Sequence, residues 1–176
     1  MKKLSDKAIA LVMYVFDRLE VQWRPVEEIW LSIVEKIMYL MQARYVWEYW
    51  VWLIEDKFIT SPFWPELKNW SYIINELWNT LKQIKESIET EEWKRWLKKY
   101  ELKKLFNEVE IKHMQMMMYL FGWFQWNELR VFTNNMKEVY ETNKNYMSWK
   151  TTSTILLKDM KKYNDKILSK YNLIKK

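Results

Sequence analysis

The side chains best equipped for chemistry in this 176-residue chain are few and scattered. His113 is the single histidine, and Glu110 stands three positions before it, one helical turn away. A Glu-x-x-His pair is the unit that helical di-iron sites project into a bundle core, where a second pair and further inward carboxylates complete the ligand set. Here the second pair is missing and the apolar stripes supply no carboxylate to join the first. A serine or threonine nucleophile needs a histidine base steadied by a carboxylate, and one histidine on a methionine-rich stretch offers only a fragment of that relay. Paired-carboxylate hydrolysis needs two acids about 5 to 10 Å apart in a cleft, whereas the acids here fall mostly opposite the apolar stripes. The absence of cysteine removes thiol nucleophiles, disulfides, thiolate zinc and iron–sulfur clusters together. The lone Gly122 forms no G-x-G phosphate loop. The chain is therefore expected not to be an enzyme and to need no cofactor or metal.

One charged pair does stand inside an apolar pattern. Arg44 interrupts the longest stripe and Glu48 follows one turn later, at the i,i+4 spacing that brings side chains together. The expectation is a buried pair that fixes helix register; the alternative is an Arg44 that grips an anionic ligand.

The elements that must position these residues are all helical. Ser5 is placed as an N-cap with Leu4 and Ile9 as a staple, and apolar residues at alternating steps of three and four predict helices over about 6–23, 26–59, 66–88, 91–121, 126–142 and 155–174. The second carries the strongest stripe, Val26 through Phe58, and its part from Tyr45 to Ile54 is apolar nearly all round, which predicts burial or a partner. Gly122 is expected to end the fourth helix through its freedom at positive φ. Residues 143–154, rich in Asn, Ser, Thr and Lys, read as a loop. Short connections favour antiparallel neighbours, so the fold class expected is all-α, one domain over 1–176 built as a bundle of five or six mostly antiparallel helices.

Thirteen tryptophans exceed what a bundle of this size hides easily. Trp50, Trp52, Trp64, Trp93, Trp96, Trp123 and Trp126 are the candidates for an aromatic face that binds a protein partner, tryptophan being over-represented among interface hot spots. An apolar cavity among Trp47, Val51, Ile54, Phe58 and Trp70 is a further expectation, suited to a hydrophobic ligand. The net charge of +6 arises wholly after Trp149, where eight lysines face two aspartates. Lys158, Lys161, Lys162, Lys166 and Lys170 form the candidate basic surface, and an anionic membrane or nucleic acid is the alternative partner it would fit. Lys2, Lys3 and Lys7 ahead of Ala8–Phe16 faintly echo a signal peptide, but Asp17, Arg18 and Glu20 follow with no small-residue cleavage site. The longest uncharged run, His113 to Asn127, falls short of the roughly 20 apolar residues of a spanning helix. Localisation and oligomeric state are not encoded in any of these features.

As a whole the composition resembles that of computationally generated, de novo designed helical proteins: cysteine is absent, glycine nearly so, and aromatics accumulate without a motif. The likeness spans the chain but rests on composition alone. It implies a helical bundle whose encoded property is the fold itself. The Asn, Gln and Met content departs from the Ala-Glu-Lys-Leu surfaces of idealised designs.

Overall fold

Ser5 opens the first helix as its position implies, its Oγ accepting the Ala8 N–H at 3.1 Å and satisfying one orphan donor of the first turn. The computed structural model describes residues 4–21, 31–59, 65–70, 91–133, 154–163 and 165. Helix dominates these residues and the fold is all-α. Helix α1 (Asp6–Val21) buries Ala8 through Phe16 and Leu19. It packs on α2 (Leu31–Tyr49), the hub of the described residues.

Helix α2 is wrapped on every side from Ile33 to Ala43, so its polar side chains must find partners inside. Glu35 and Gln42, seven residues apart, share one face and both reach backbone. Gln42 Oε1 accepts the Leu53 and Ile54 N–H groups at 3.0 Å each, while its Nε2 donates to the Ile54 carbonyl at 3.2 Å. Glu35 Oε1 accepts the Leu67 N–H at 2.8 Å.

Those bonds correct the expected helix over 26–59. The helix stops at Tyr49; Trp50 takes φ 58°, a left-handed conformation that is costly for a residue with a Cβ and that turns the chain back on itself. Residues 53–54 then lie along α2 under Gln42, and β1 (Phe58–Ile59) pairs antiparallel with β2 (Glu66–Leu67), with Phe58 opposite Leu67. Val51, Ile54 and Phe58 fit a helical stripe by spacing, yet a continued helix would leave Gln42 buried with nothing to bond. Asp56 fastens the same excursion to the start of α1, accepting the Ser5 N–H at 3.2 Å and the Ser5 hydroxyl. The segment Tyr45–Ile54, expected to be buried or covered by a partner, divides: Tyr45, Val46, Leu53 and Ile54 are buried and Tyr49, Trp50 and Val51 exposed, while all-round enclosure falls on Ile33–Ala43.

The expected helix over 66–88 begins instead as β2, and its remaining residues from 71 lie outside the described ones. The helix expected over 91–121 is three: α3 (Glu91–Lys99), α4 (Leu102–Leu105) and α5 (Glu108–Phe121). The cause of the last break is a capping box. Asn107 Oδ1 accepts the Glu110 N–H at 3.0 Å, and Glu110 Oε2 accepts the Asn107 N–H at 2.8 Å, so a new helix starts there. Gly122 does end α5, but with φ −60° rather than a positive angle. Helix α6 (Trp126–Thr133) and α7 (Leu157–Tyr163) begin close to where the periodicity sets them; the rest of 126–142 and most of 155–174 fall outside the described residues, as do 22–23, 26–30 and 143–153. Thr154 bridges to Ile59 and the Ile155 N–H donates to the Phe58 carbonyl at 2.8 Å. Helices α5, α6 and α7 pack on α2 while α4 packs on α1. One apolar core runs through α1, α2, β1, β2, α5, α6 and α7. Each fully buried large side chain, Phe16 or Phe58 for example, stabilises it by about 1.5–3 kcal/mol.

Candidate functional site

The histidine and the charged pair converge where α5 crosses the end of α2. His113 Nε2 lies 2.9 Å from the Met41 carbonyl, which accepts its N–H and leaves Nδ1 with the lone pair. Nδ1 is buried with no hydrogen-bond partner, and Glu48 Oε2 is 3.9 Å away, beyond hydrogen-bond reach. Burial pushes the imidazole below its usual pKa, a tendency the Met41 carbonyl and Glu48 oppose. Arg44 Nε stands 3.8 Å from the same Glu48 oxygen, its guanidinium lies 4.5 Å over the Trp47 ring, and its Nη1 is buried without a hydrogen-bond partner. The Arg44–Glu48 pair therefore sits at the boundary of the core, with Glu48 on the solvent side. A general base must reach a proton on a bound molecule, and the free nitrogen of His113 is sealed from solvent. The arrangement joins α2 to α5 and holds Tyr45, whose ring meets His113 edge-on at 5.1 Å.

Glu110 is spent elsewhere. Its Oε2 serves the capping box and its Oε1 accepts from Lys7 Nζ at 2.8 Å, tying α5 to α1. Among the described residues no three His, Cys, Asp or Glu side chains group as a metal site, and no helix is long and apolar enough to cross a membrane.

Of the seven tryptophans, four have described side chains, and they differ in exposure. Trp50 and Trp123 are exposed, at 53% and 60%, and Lys161 Nζ covers the Trp50 ring at 3.5 Å. Trp52 and Trp126 are half-buried, the first under Lys57 at 4.3 Å and the second beside Lys36 and Arg130. Trp64 lies outside the described residues, as do the side chains of Trp93 and Trp96 on α3. The cavity expected among Trp47, Val51, Ile54, Phe58 and Trp70 is broken up, since Val51 faces solvent while Ile54 and Phe58 are in the core.

An apolar face does exist, built largely from residues that composition did not single out. Val109, Met116, Tyr119 and Trp123 recur at three-four multiples along α5 and just past its end, with the exposed Lys112 at the position between the first two; all are exposed, Tyr119 at 78%. The opposite stripe, with Glu110, His113, Met114, Met117 and Phe121, is buried. The signal was in the chain: a helix apolar on both sides has a second face to account for.

Basic residues also gather away from the expected place. On α7, Lys158 and Lys162 are exposed and Lys161 rests on Trp50, while Met160 is buried and Trp47 Nε1 donates to Asp165 Oδ1 at 2.7 Å. This is a packing helix with lysines outward; Lys166 and Lys170 lie outside the described residues. A denser set occupies α3 and α4, where Lys94, Arg95, Lys98, Lys99, Lys103 and Lys104 are all exposed. Summing charge over the first 149 residues hides it, because acids elsewhere cancel it.

No protein-family model, curated protein or solved structure matches the chain.

Proposed function

We propose that the chain is a non-catalytic helical interaction module that engages a protein partner through the outer face of α5. The observation that carries this reading is the exposed stripe Val109, Met116, Tyr119 and Trp123 set back to back with a buried stripe on the same helix. Burying an exposed tyrosine or tryptophan in a partner's pocket is worth 2 kcal/mol or more in typical hot spots, roughly a 30-fold gain in affinity each. The stripe serves a natural chain and a generated one equally, so the compositional likeness to designed bundles neither adds to the proposal nor detracts from it.

The test is a photo-crosslinking residue introduced at Tyr119 in the expressing cell. One discrete protein adduct, absent when the same residue is placed at Lys158, is the expected result. A faint ladder of adducts like that from Lys158 would end the proposal, as would a catalytic turnover abolished by substituting His113.

A further inference from the structure

We propose that the outer face of α3 and α4 is a peripheral docking surface for a membrane rich in anionic phospholipid headgroups. Between positions 94 and 104 the chain carries six cations and one carboxylate, Glu101, a local excess of five positive charges in a chain whose net charge is +6. The six are exposed together. Helical register explains why: Lys94 and Lys98, then Arg95 and Lys99, are i,i+4 pairs on one side of α3, opposite Tyr100. Tyr100 is buried, which fixes the cationic side as the outer one.

The two short helices form one strip. Lys104 Nζ donates to the Lys98 carbonyl at 3.2 Å, folding the α4 cation onto the last turn of α3, where the exposed carbonyls of the helix end favour positive charge. Internal neutralisation is partial. Lys94 is paired with Glu91 at 3.1 Å and Lys104 with Glu101 at 2.9 Å, and the ammonium beside Glu101 lowers that carboxyl's pKa. Arg95, Lys98 and Lys103 then stand on the outer side as the charges most directly offered to a partner.

Five of the six are lysines, compact point charges without the guanidinium fork that nucleic-acid readout draws on. Clusters of four to eight basic residues on an amphipathic helix suit anionic lipid surfaces, where each contributes about 1 kcal/mol, a factor of about five in partitioning. The strip is separate from the α5 face and does not depend on it.

Co-sedimentation of the full chain with phosphatidylcholine vesicles, with and without phosphatidylserine, tests the proposal. The wild type should bind only the serine-containing vesicles, and binding should fall steeply as salt is raised. The variant R95Q/K98Q/K103Q should partition about 100-fold more weakly, and K98Q alone about fivefold. The charge-preserving K98R/K103R should bind like the wild type, as should K158Q/K162Q on α7. Equal binding to both vesicle types, undiminished binding of the triple variant, loss with K158Q/K162Q, or binding to duplex DNA in place of vesicles would each overturn it.

Discussion

Replacing Gln42 by methionine should unfasten the excursion that interrupts the central helix. The side chain is fully buried and makes three hydrogen bonds to backbone, accepting from the Leu53 and Ile54 N–H groups and donating to the Ile54 carbonyl. Methionine has nearly the same length and leaves two donors and one acceptor buried and unmet, at about 1–3 kcal/mol each. Against this stands a gain of about 1–2 kcal/mol for the more apolar side chain. The net loss is roughly 1–8 kcal/mol, a large part of the 5–15 kcal/mol that holds a typical domain together. With a urea dependence of about 1–3 kcal/mol per molar, the unfolding midpoint followed by circular dichroism should drop by roughly 1–3 M. Gln42→Glu adds a sign. Protonated, the carboxyl keeps a donor for the Ile54 carbonyl; ionised, it turns a charged oxygen toward that carbonyl in a dry site. Its folded pKa is therefore raised, so the variant's stability is fullest below about pH 4 and is lost as pH rises through that raised value. A methionine variant whose midpoint stays within about 0.3 M of the wild type would refute the anchoring role.

His113 titrates below its usual value because of burial; the unfolded chain then takes up a proton first, and stability should fall as pH drops from about 7 to about 5. The variant H113Q should flatten that part of the urea-midpoint profile, and an unchanged slope would count against the burial argument. Lys36 is fully buried beside Trp126, and burial brings its pKa down to about 8. Its folded value being depressed, stability should rise as pH is raised from about 8 toward about 10, and K36M should stabilise by on the order of 1–3 kcal/mol near neutral pH, read as a higher Tm. A lower Tm would show that the ammonium is well compensated where it lies.

Periodicity made the all-helical class legible, along with the Ser5 cap and the starts of α1, α6 and α7, because those features depend on residues within a turn of each other. It failed where a distant side chain decides the matter. Val51, Ile54 and Phe58 keep helical spacing, and bonds to residues distant in sequence, from Gln42, from Asp56 and across β1 to β2 and Ile155, pull that segment out of a helix. Two polar residues seven apart inside an apolar helix, Glu35 and Gln42, were the available hint. The Asn107–Glu110 capping box is written locally, but in the sequence it competes with the Glu110-x-x-His113 spacing for the same carboxylate. Arg44 and Glu48 meet as their spacing required. Tryptophan count says nothing about direction: Trp126 turns half inward, whereas Tyr119, on a helix whose inner stripe is filled by methionines, faces out.

On the proposed function the outer stripe of α5 is bare in the isolated chain and covered in use. Hydroxyl-radical footprinting at Tyr119 and Trp123, on purified protein and in the expressing cell, reads this directly. Rapid labelling of both residues in the purified chain with strong protection in the cell is the predicted result; protection in the purified monomer, or equal labelling in both settings, would contradict it.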